Sequence, residues 1–210
     1  MRIRRKPWAR PELEVCDYYI PDGRQFFSKW REKLQSPIYI ELGCGKGGFI
    51  SQAAKLQPEI SFIAADIKSE MLAFTRRKAV ASYGTTPSNL TLLTLNIEHI
   101  NEVFDENEVD RIYINFPPPW RRAKEFKHRL THTNQLVQYR KILVPGGEIR
   151  FKTDDDILFE DSIEYFKQAG FDITRIERDL HNADYPENII TEHEAMFSAE
   201  GKKIKFLTAV

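Results

Sequence analysis

Short runs of β-branched and aromatic residues alternate along the chain with stretches whose apolar residues recur every three or four positions. The short runs predict strands at 38–41, 60–67, 90–95, 109–116, 148–153, 171–178 and 203–209. The other stretches predict helices at 24–34, 49–56, 69–83, 133–143 and 157–169. Strands that alternate with helices in this order predict an α/β fold with a doubly wound sheet. The last two strands follow the fifth helix and add a late antiparallel strand.

The first 36 residues precede this sheet and have a different character. Pro7 and Pro11 disfavour a helix near the start, so we expect an extended basic arm there. Trp8 lies among its cations, which are Arg2, Arg4, Arg5, Lys6 and Arg10. Such an arm either binds RNA, with the ring stacked on a base, or is a solvated terminus. Residues 37–210 contain no linker and are expected to form one domain.

Composition narrows the class of protein. Lysine plus arginine and aspartate plus glutamate both total 31, so a polyanionic partner would have to meet a local cluster of cations. The two cysteines, Cys16 and Cys44, have neither the spacing of a metal site nor the density of a disulfide framework. No apolar run has the length of a membrane span. We therefore expect a cytoplasmic protein that binds neither a metal nor a membrane.

The stretch 38–48, I-Y-I-E-L-G-C-G-K-G-G, carries the strongest chemical signal. Gly43 and Gly45 allow a tight turn and a close approach of a ligand to the backbone, while the N–H groups that open the next helix face that ligand. Such loops occur at nucleotide sites, but the glycine spacing alone also fits an ordinary strand-to-helix turn. The feature that distinguishes this loop is Glu41, which lies on the strand itself.

Polar residues also follow the next two strands. Asp66 lies about twenty residues beyond the glycine loop, where such folds place an acid against ribose hydroxyls. Asn96 either bonds an adenine edge or caps a turn. A carboxylate such as Glu41 repels a pyrophosphate and attracts the amino-acid cation of S-adenosylmethionine. We therefore favour a methyltransferase over a small-molecule dehydrogenase, which would also need a second catalytic domain.

The fourth sheet strand in this prediction runs into a rigid turn at the ligand-binding edge, formed by Pro117, Pro118, Pro119 and Trp120. Residues 121–129, R-R-A-K-E-F-K-H-R, then hold five Lys or Arg and one acid. This basic run is either solvated surface or a site that neutralises a phosphate chain. Residues 191–194, T-E-H-E, form either a helix cap with first-turn acids or a segment that closes over the site.

These motifs together resemble the bacterial tRNA (guanine-N7)-methyltransferases. The likeness extends through I-E-L-G-C-G-K-G at 40–47, A-D-I-K at 65–68, N-F-P-x-P-W at 115–120, R-L-T at 129–131, G-G-E-I-R-F-K-T-D at 146–154 and T-E-H-E at 191–194. It implies a Rossmann-like class I S-adenosylmethionine-dependent methyltransferase domain at 37–210, preceded by a basic arm and helix at 1–36. It also implies methyl transfer to N7 of a guanine in the variable loop of tRNA. Whether the chain is a monomer or a homodimer stays open.

The resemblance assigns roles to individual residues. The methyl donor would contact Glu41, Gly43, Gly45, Asp66, Asn96 and Pro118. The target guanosine would lie against Arg122, Asp154, Thr191 and Glu194. The tRNA would touch residues 124–129, which include Lys124, Lys127 and Arg129.

Pro118 departs from the family pattern, which usually has aspartate at this position. Because guanine N7 is an unprotonated lone pair, its methylation needs no general base, and alignment of donor and acceptor can supply most of the acceleration. A carboxylate would also hold the base and stabilise the charge that the purine acquires, and Asp154 and Glu194 are the candidates for this catalytic role. We predict an active enzyme with a reduced rate. The alternative is a tRNA-binding homologue without turnover.

Overall fold

The computed structural model describes residues 6–35 and 37–210. The strands in this described part are β1 (Tyr19–Ile20), β2 (Ile38–Leu42), β3 (Ser61–Asp66), β4 (Leu90–Thr94), β5 (Val109–Asn115), β6 (Leu143–Thr153), β7 (Ile173–Glu177) and β8 (Lys205–Ala209). They form one sheet in the order β1-β4-β3-β2-β5-β6-β8-β7. Neighbours among β1 to β6 are parallel, whereas β8 is antiparallel to both β6 and β7. The predicted doubly wound α/β fold with a late antiparallel strand is confirmed.

Helices cover both faces of this sheet. Among the described residues they are α1 (Ala9–Glu14), α2 (Trp30–Leu34), α3 (Gly48–Leu56), α4 (Ser69–Tyr83), α5 (Ile100–Val103), α6 (Thr133–Ile142), α7 (Asp156–Gln168) and α8 (Glu192–Ala199). Ile63 of β3 packs into one core with Leu136 of α6. Its neighbour Phe62 packs into a second core with Ile50 of α3, because successive strand residues point to opposite faces. The helices predicted at 49–56, 69–83, 133–143 and 157–169 are confirmed to within one residue at each end.

The N-terminal segment contains a helix where an extended arm was expected. Helix α1 begins at Ala9, and Pro11 lies in its first turn. The N–H groups of a first turn have no partner within the helix, so the proline, which lacks an N–H, costs no hydrogen bond there. Ala9 and Leu13 are 1% exposed and belong to the same core as α4. The prolines therefore mark the start of a helix and do not prevent one.

Trp8 is held by the protein. Its ring meets the ring of Phe74 edge to face, with centroids 5.2 Å apart, and the guanidinium carbon of Arg77 lies 3.7 Å from its ring centroid. Arg77 also pairs with Glu12 of α1 at 2.6 Å. This packing favours a structural role for Trp8 over base stacking. Three cations of the predicted arm lie outside the described residues, namely Arg2, Arg4 and Arg5.

The predicted continuous helix at 24–34 is wrong. A 3₁₀ turn, Gly23–Phe26, is separated from α2 by Ser28, whose φ of +61° is incompatible with a right-handed helix. Trp30 nevertheless reaches the core, where it is fully buried and its Nε1 donates to the Val103 carbonyl at 2.8 Å. Phe27, which lies within the predicted helix, is 41% exposed. The apolar spacing therefore predicted a segment that reaches the core through Trp30, but it did not predict the break between the 3₁₀ turn and α2.

Candidate functional site

Five polar residues lie at the carboxyl ends of neighbouring parallel strands. They are Glu41 on β2, Asp66 at the end of β3, Asn96 after β4, Asn115 at the end of β5 and Asp154 after β6. Ligands of open α/β sheets bind at this edge. The structure therefore brings together four residues that the sequence indicated, and it adds Asn115, which the sequence pattern did not single out.

Glu41 is almost completely buried, with 3% of its surface exposed. Its Oε1 accepts a hydrogen bond of 2.9 Å from Asn115 Nδ2, whereas its Oε2 has no hydrogen-bond partner among the described residues. Burial raises the pKa of Glu41 to about 8, and the Asn115 hydrogen bond opposes this shift. A buried acceptor without a partner is costly. This carboxyl is therefore suited to receive a ligand that brings a donor or a positive charge.

The loop after β2 leaves room for a ligand. Gly45 has a φ of +56°, and a β-carbon there would meet no atom within 4 Å. Gly47 has a φ of +76° and serves a different purpose, because a β-carbon there would approach Thr75 to 2.5 Å. The loop therefore combines one glycine that allows close helix packing with one that opens onto free space.

Asp66 and Asn96 both hold the backbone around this loop. Asp66 accepts hydrogen bonds from the N–H groups of Gly45 at 3.1 Å and Lys68 at 2.9 Å, which ties the glycine loop to β3. Asn96 accepts from the N–H of Glu98 at 3.2 Å, so the predicted capping role of Asn96 is confirmed. It also lines a cavity of about 260 Å³. Both side chains retain hydrogen-bonding capacity for a ligand, since a carboxylate has about four lone-pair sites and an amide has two N–H donors.

The three-proline turn after β5 is braced by a buried arginine. Phe116 and Trp120 flank the turn with φ values of +49° and +42°. Arg129 is 1% exposed, and its Nε donates to the Pro119 carbonyl at 2.8 Å. Its Nη1 pairs with Asp161 of α7 at 2.6 Å. Arg129 therefore fastens the turn to helix α7.

The basic run is divided between surface and interior. Arg122, Lys124 and Lys127 are exposed, on and just before the 3₁₀ helix Ala123–His128. Arg129 is buried, its Nε and Nη1 are hydrogen-bonded within the protein, and its Nη2 has no partner among the described residues. Its contact with tRNA stays a prediction, which this burial disfavours. The exposed cations are available to a phosphate chain.

The segment before α8 forms a capping box. Thr191 Oγ1 accepts from the Glu194 N–H at 2.9 Å, and the Glu194 carboxylate accepts from the Thr191 N–H at 3.4 Å. The predicted capping role is confirmed. Glu194 is 0% exposed and also pairs with Lys152 at 3.0 Å. This burial disfavours Glu194 as a catalytic group, and its contact with the guanine stays a prediction, while Thr191, at 6% exposed, is engaged in the cap.

Asp154 keeps an accessible carboxylate. It follows β6, and 24% of its side chain is exposed, with Lys202 Nζ 3.8 Å from its Oδ2. Lys205 donates to the Asp154 carbonyl at 3.0 Å and so fixes the backbone at this point. Of the two predicted catalytic carboxylates, Asp154 is the one that the structure leaves available to a substrate.

Two polar residues of this site, Asn115 and Lys152, were not predicted from the sequence. They are opposite each other in the register of β5 and β6, and both line a cavity of about 290 Å³. A signal for Asn115 was available, because it ends a central strand as Asp66 does. Lys152 gave no signal, because nothing in a strand pattern distinguishes a buried lysine from a solvated one.

Residues 6–35 and 37–210 show neither a metal centre nor a membrane span. No group of three or more His, Cys, Asp or Glu side chains there is placed to hold a metal ion. No helix of that part is both long and apolar enough to cross a bilayer. Cys16 and Cys44 are both buried free thiols.

Comparison with known proteins identifies the family. A family described as "Putative methyltransferase" matches residues 35–207. A tRNA (guanine-N(7)-)-methyltransferase of Clostridium perfringens (strain 13 / Type A) is 50% identical across 100% of this chain and 99% of its own length. One from Acetivibrio thermocellus is 48% identical with the same coverage. The chain belongs to the tRNA (guanine-N7)-methyltransferase family.

Solved structures agree with this methyltransferase fold. The 16S rRNA methyltransferase KamB superposes with a TM-score of 0.64 over 87% of this chain and 92% of its own, at 12% identity. A 16S rRNA (adenine(1408)-N(1))-methyltransferase with S-adenosylmethionine, from Catenulisporales acidiphilia, has a TM-score of 0.58 over 91% and 92% of the two chains, at 14% identity. At such identities the likeness concerns the fold alone. Together with the family, it excludes the dehydrogenase alternative.

The methyl donor of this tRNA (guanine-N7)-methyltransferase family member is S-adenosylmethionine, and the residues present fit it. The unpaired Oε2 of Glu41 offers an acceptor to the donor's ammonium group. The open space at Gly45 admits the amino-acid part close to the backbone. Asp66 and Asn96 stand at the next two strand ends, where hydroxyl and amine groups of a nucleoside need acceptors.

Proposed function

We propose that this enzyme transfers a methyl group from S-adenosylmethionine to N7 of a guanine in the variable loop of tRNA. The single observation that supports this most directly is the buried Glu41 carboxyl with an unpaired oxygen at the end of β2. A cationic amino acid stabilises the ionised form of this carboxyl, whereas an anionic cofactor would disfavour it. The full-length identity to relatives named for this activity supports the same substrate. We expect residues 37–210 to carry the site and the enzyme to work in the cytoplasm.

Binding and alignment are the main tasks of the chain's own residues. S-adenosylmethionine supplies a methyl group on a positively charged sulfur. Glu41 holds the ammonium group, and Asp66 and Asn96 hold the nucleoside. Guanine N7 attacks with its own lone pair, so no side chain has to remove a proton. Acceleration by such alignment can amount to about 7–11 kcal/mol when both partners are well oriented.

Asp154 takes the electrostatic part of the reaction in this proposal. Methylation leaves a positive charge on the purine, and a preorganised carboxylate stabilises that charge as it develops. Asp154 lies at the end of β6 with part of its carboxylate exposed. Pro118, exposed beyond β5, contributes only shape where the family pattern has a carboxylate. We therefore expect turnover with Asp154 as the main acidic contact of the guanine.

Incubation of the purified chain with labelled donor and unmodified tRNA tests the proposed function. Label recovered in N7-methylguanine supports it. Binding of both donor and tRNA without transfer would instead identify a binding protein without turnover.

A lysine pair in the basic run is expected to set the salt dependence of tRNA binding. Lys124→Ala with Lys127→Ala should weaken binding and flatten the slope of log K against log salt by about 0.7–0.9 for each phosphate that is no longer neutralised. Filter binding at several salt concentrations measures both effects. Lys167→Ala is the matched control, since Lys167 is an exposed lysine of α7 outside the run. A slope equal to that of the wild type in the double variant would remove these lysines from the tRNA surface.

Restoring the carboxylate of the family pattern is expected to raise the rate. Pro118→Asp should increase single-turnover methyl transfer, because an aspartate at this exposed position adds charge stabilisation to that of Asp154. Pro118→Ala controls for the loss of the ring. An unchanged rate with donor still bound would mean that Asp154 already supplies the whole effect.

A further inference from the structure

Lys152 is a buried lysine in the middle of the site. It is 5% exposed on β6, and its ammonium donates to Asn188 Oδ1, to the Ile189 carbonyl at 3.1 Å and to Glu194 Oε2 at 3.0 Å. An ammonium has three N–H donors, so all of them can be used here. All three acceptors belong to the segment 188–194, which we call the substrate-side segment.

Lys152 also faces the donor side of the sheet. Asn115, its register partner on β5, donates to Glu41 Oε1 at 2.9 Å. The charge of Lys152 lowers the pKa of Glu41, against the larger effect of burial. A continuous set of contacts therefore runs from Glu41 through the β5–β6 pair to Glu194.

The geometry assigns Lys152 as a positioning residue that holds the substrate-side segment against β6 and links its placement to the donor carboxylate Glu41. The inference rests on the proposed function, because this segment matters for turnover only if the guanosine binds beside Asp154 and the segment. Asp154 follows Lys152 by two residues on the same chain, so one strand would place both the acidic contact and the segment that faces it.

The physical basis is the mutual dependence of two buried charges. Glu194 is 0% exposed, and its second oxygen accepts from Asn188 at 2.7 Å and lies 3.1 Å from His181 Nε2. A buried ion whose partner is removed is strongly destabilised, so each of Lys152 and Glu194 requires the other in place. Burial lowers the pKa of Lys152, and the carboxylates of Glu194 and Glu41 oppose that shift. Because Glu41 is among the charges that act on Lys152, a change in the ionisation of Glu41 on donor binding also acts on the residue that holds the segment.

The test compares Lys152→Met with Arg150→Met. Arg150 is the matched control because it lies on the same strand and face, is largely buried, and pairs with Glu148 and Glu187, outside the segment. At saturating donor, we expect Lys152→Met to raise the KM for tRNA about tenfold, with the donor Kd within about threefold of wild type. Amide hydrogen exchange in the segment should become faster, and added donor should no longer slow it. Arg150→Met should leave all three measurements near wild type.

A double variant separates positioning from simple loss of stability. Lys152→Met combined with Glu194→Gln removes the orphaned carboxylate, so the Tm should recover relative to Lys152→Met while the KM for tRNA stays raised. A KM that recovers together with the Tm would overturn the assignment, as would equal exchange rates in wild type and Lys152→Met. The proposed function is tested separately by whether the wild type forms N7-methylguanine. If it forms none, the comparison of hydrogen-exchange rates still tests the role of Lys152.

Discussion

Replacing Glu41 by glutamine is expected to weaken the binding of S-adenosylmethionine about thirtyfold or more, because removing one member of a buried charge pair costs roughly 2–5 kcal/mol. Glutamine keeps the size of the side chain and the Oε1 acceptor that Asn115 uses. The fold should therefore survive, and titration calorimetry with the donor isolates the lost charge. A donor Kd within threefold of wild type would contradict the role assigned to Glu41.

The same variant gives a pH test of that carboxyl. Burial raises the pKa of Glu41 from its ordinary 4.5 to about 8 in the donor-free protein. A group with a raised pKa stabilises the folded state fully below its unfolded pKa, and this contribution is lost as pH rises through the folded pKa. The Tm of the wild type should therefore fall more steeply than that of Glu41→Gln between about pH 5 and pH 8, and the two curves should run parallel above that range. Curves that are parallel throughout would mean that Glu41 is ionised before the donor binds.

Replacing Arg129 by methionine is expected to lower the free energy of unfolding by about 3 kcal/mol, which is roughly 6–12 °C in Tm for a chain of this size. The substitution removes the hydrogen bond to the Pro119 carbonyl and the ion pair with Asp161, both made by a guanidinium that solvent does not reach. Differential scanning calorimetry measures the loss.

The tRNA-binding properties of Arg129→Met distinguish a structural arginine from a phosphate contact. A brace inside the protein neutralises no phosphate, so the salt slope of tRNA binding should equal that of wild type. Unchanged Tm together with a flatter salt slope would restore Arg129 to the tRNA surface and refute its role as a brace.

The fold could be predicted where local pattern alone determines the element. Helix α4 was predicted to the residue, because its apolar spacing is followed by Gly84, which takes the φ of +74° that ends helices. The largest errors are at the N-terminus, where distant partners decide, while β6 also begins before the predicted strand and α5 was not predicted. Trp8 and Trp30 are placed by Phe74 and Val103, which are far away in sequence. No window of the sequence contains those contacts.

The sequence predicted most of the site residues that lie at the ends of strands. Glu41 and Asp66 followed from their positions after apolar runs, because parallel strands deliver their ends to one edge. Burial of individual charges could not be predicted in this way. Arg129 and Glu194 are residue types usually found at the surface, and each forms an ion pair with a residue more than thirty positions away.

The three successive prolines before Trp120 have a thermodynamic consequence. Each ring fixes its φ, so the unfolded chain has less conformational entropy to lose there. The turn is ordered before a guanosine arrives, and its ordering is therefore not subtracted from the free energy of binding. An aspartate at position 118 would add a carboxylate but free one backbone dihedral, which lowers the free energy of unfolding by about 0.4–1 kcal/mol. The prolines therefore provide a preorganised turn in place of a second carboxylate. The net effect of Pro118→Asp on the rate is the charge stabilisation gained minus the cost of the added backbone freedom.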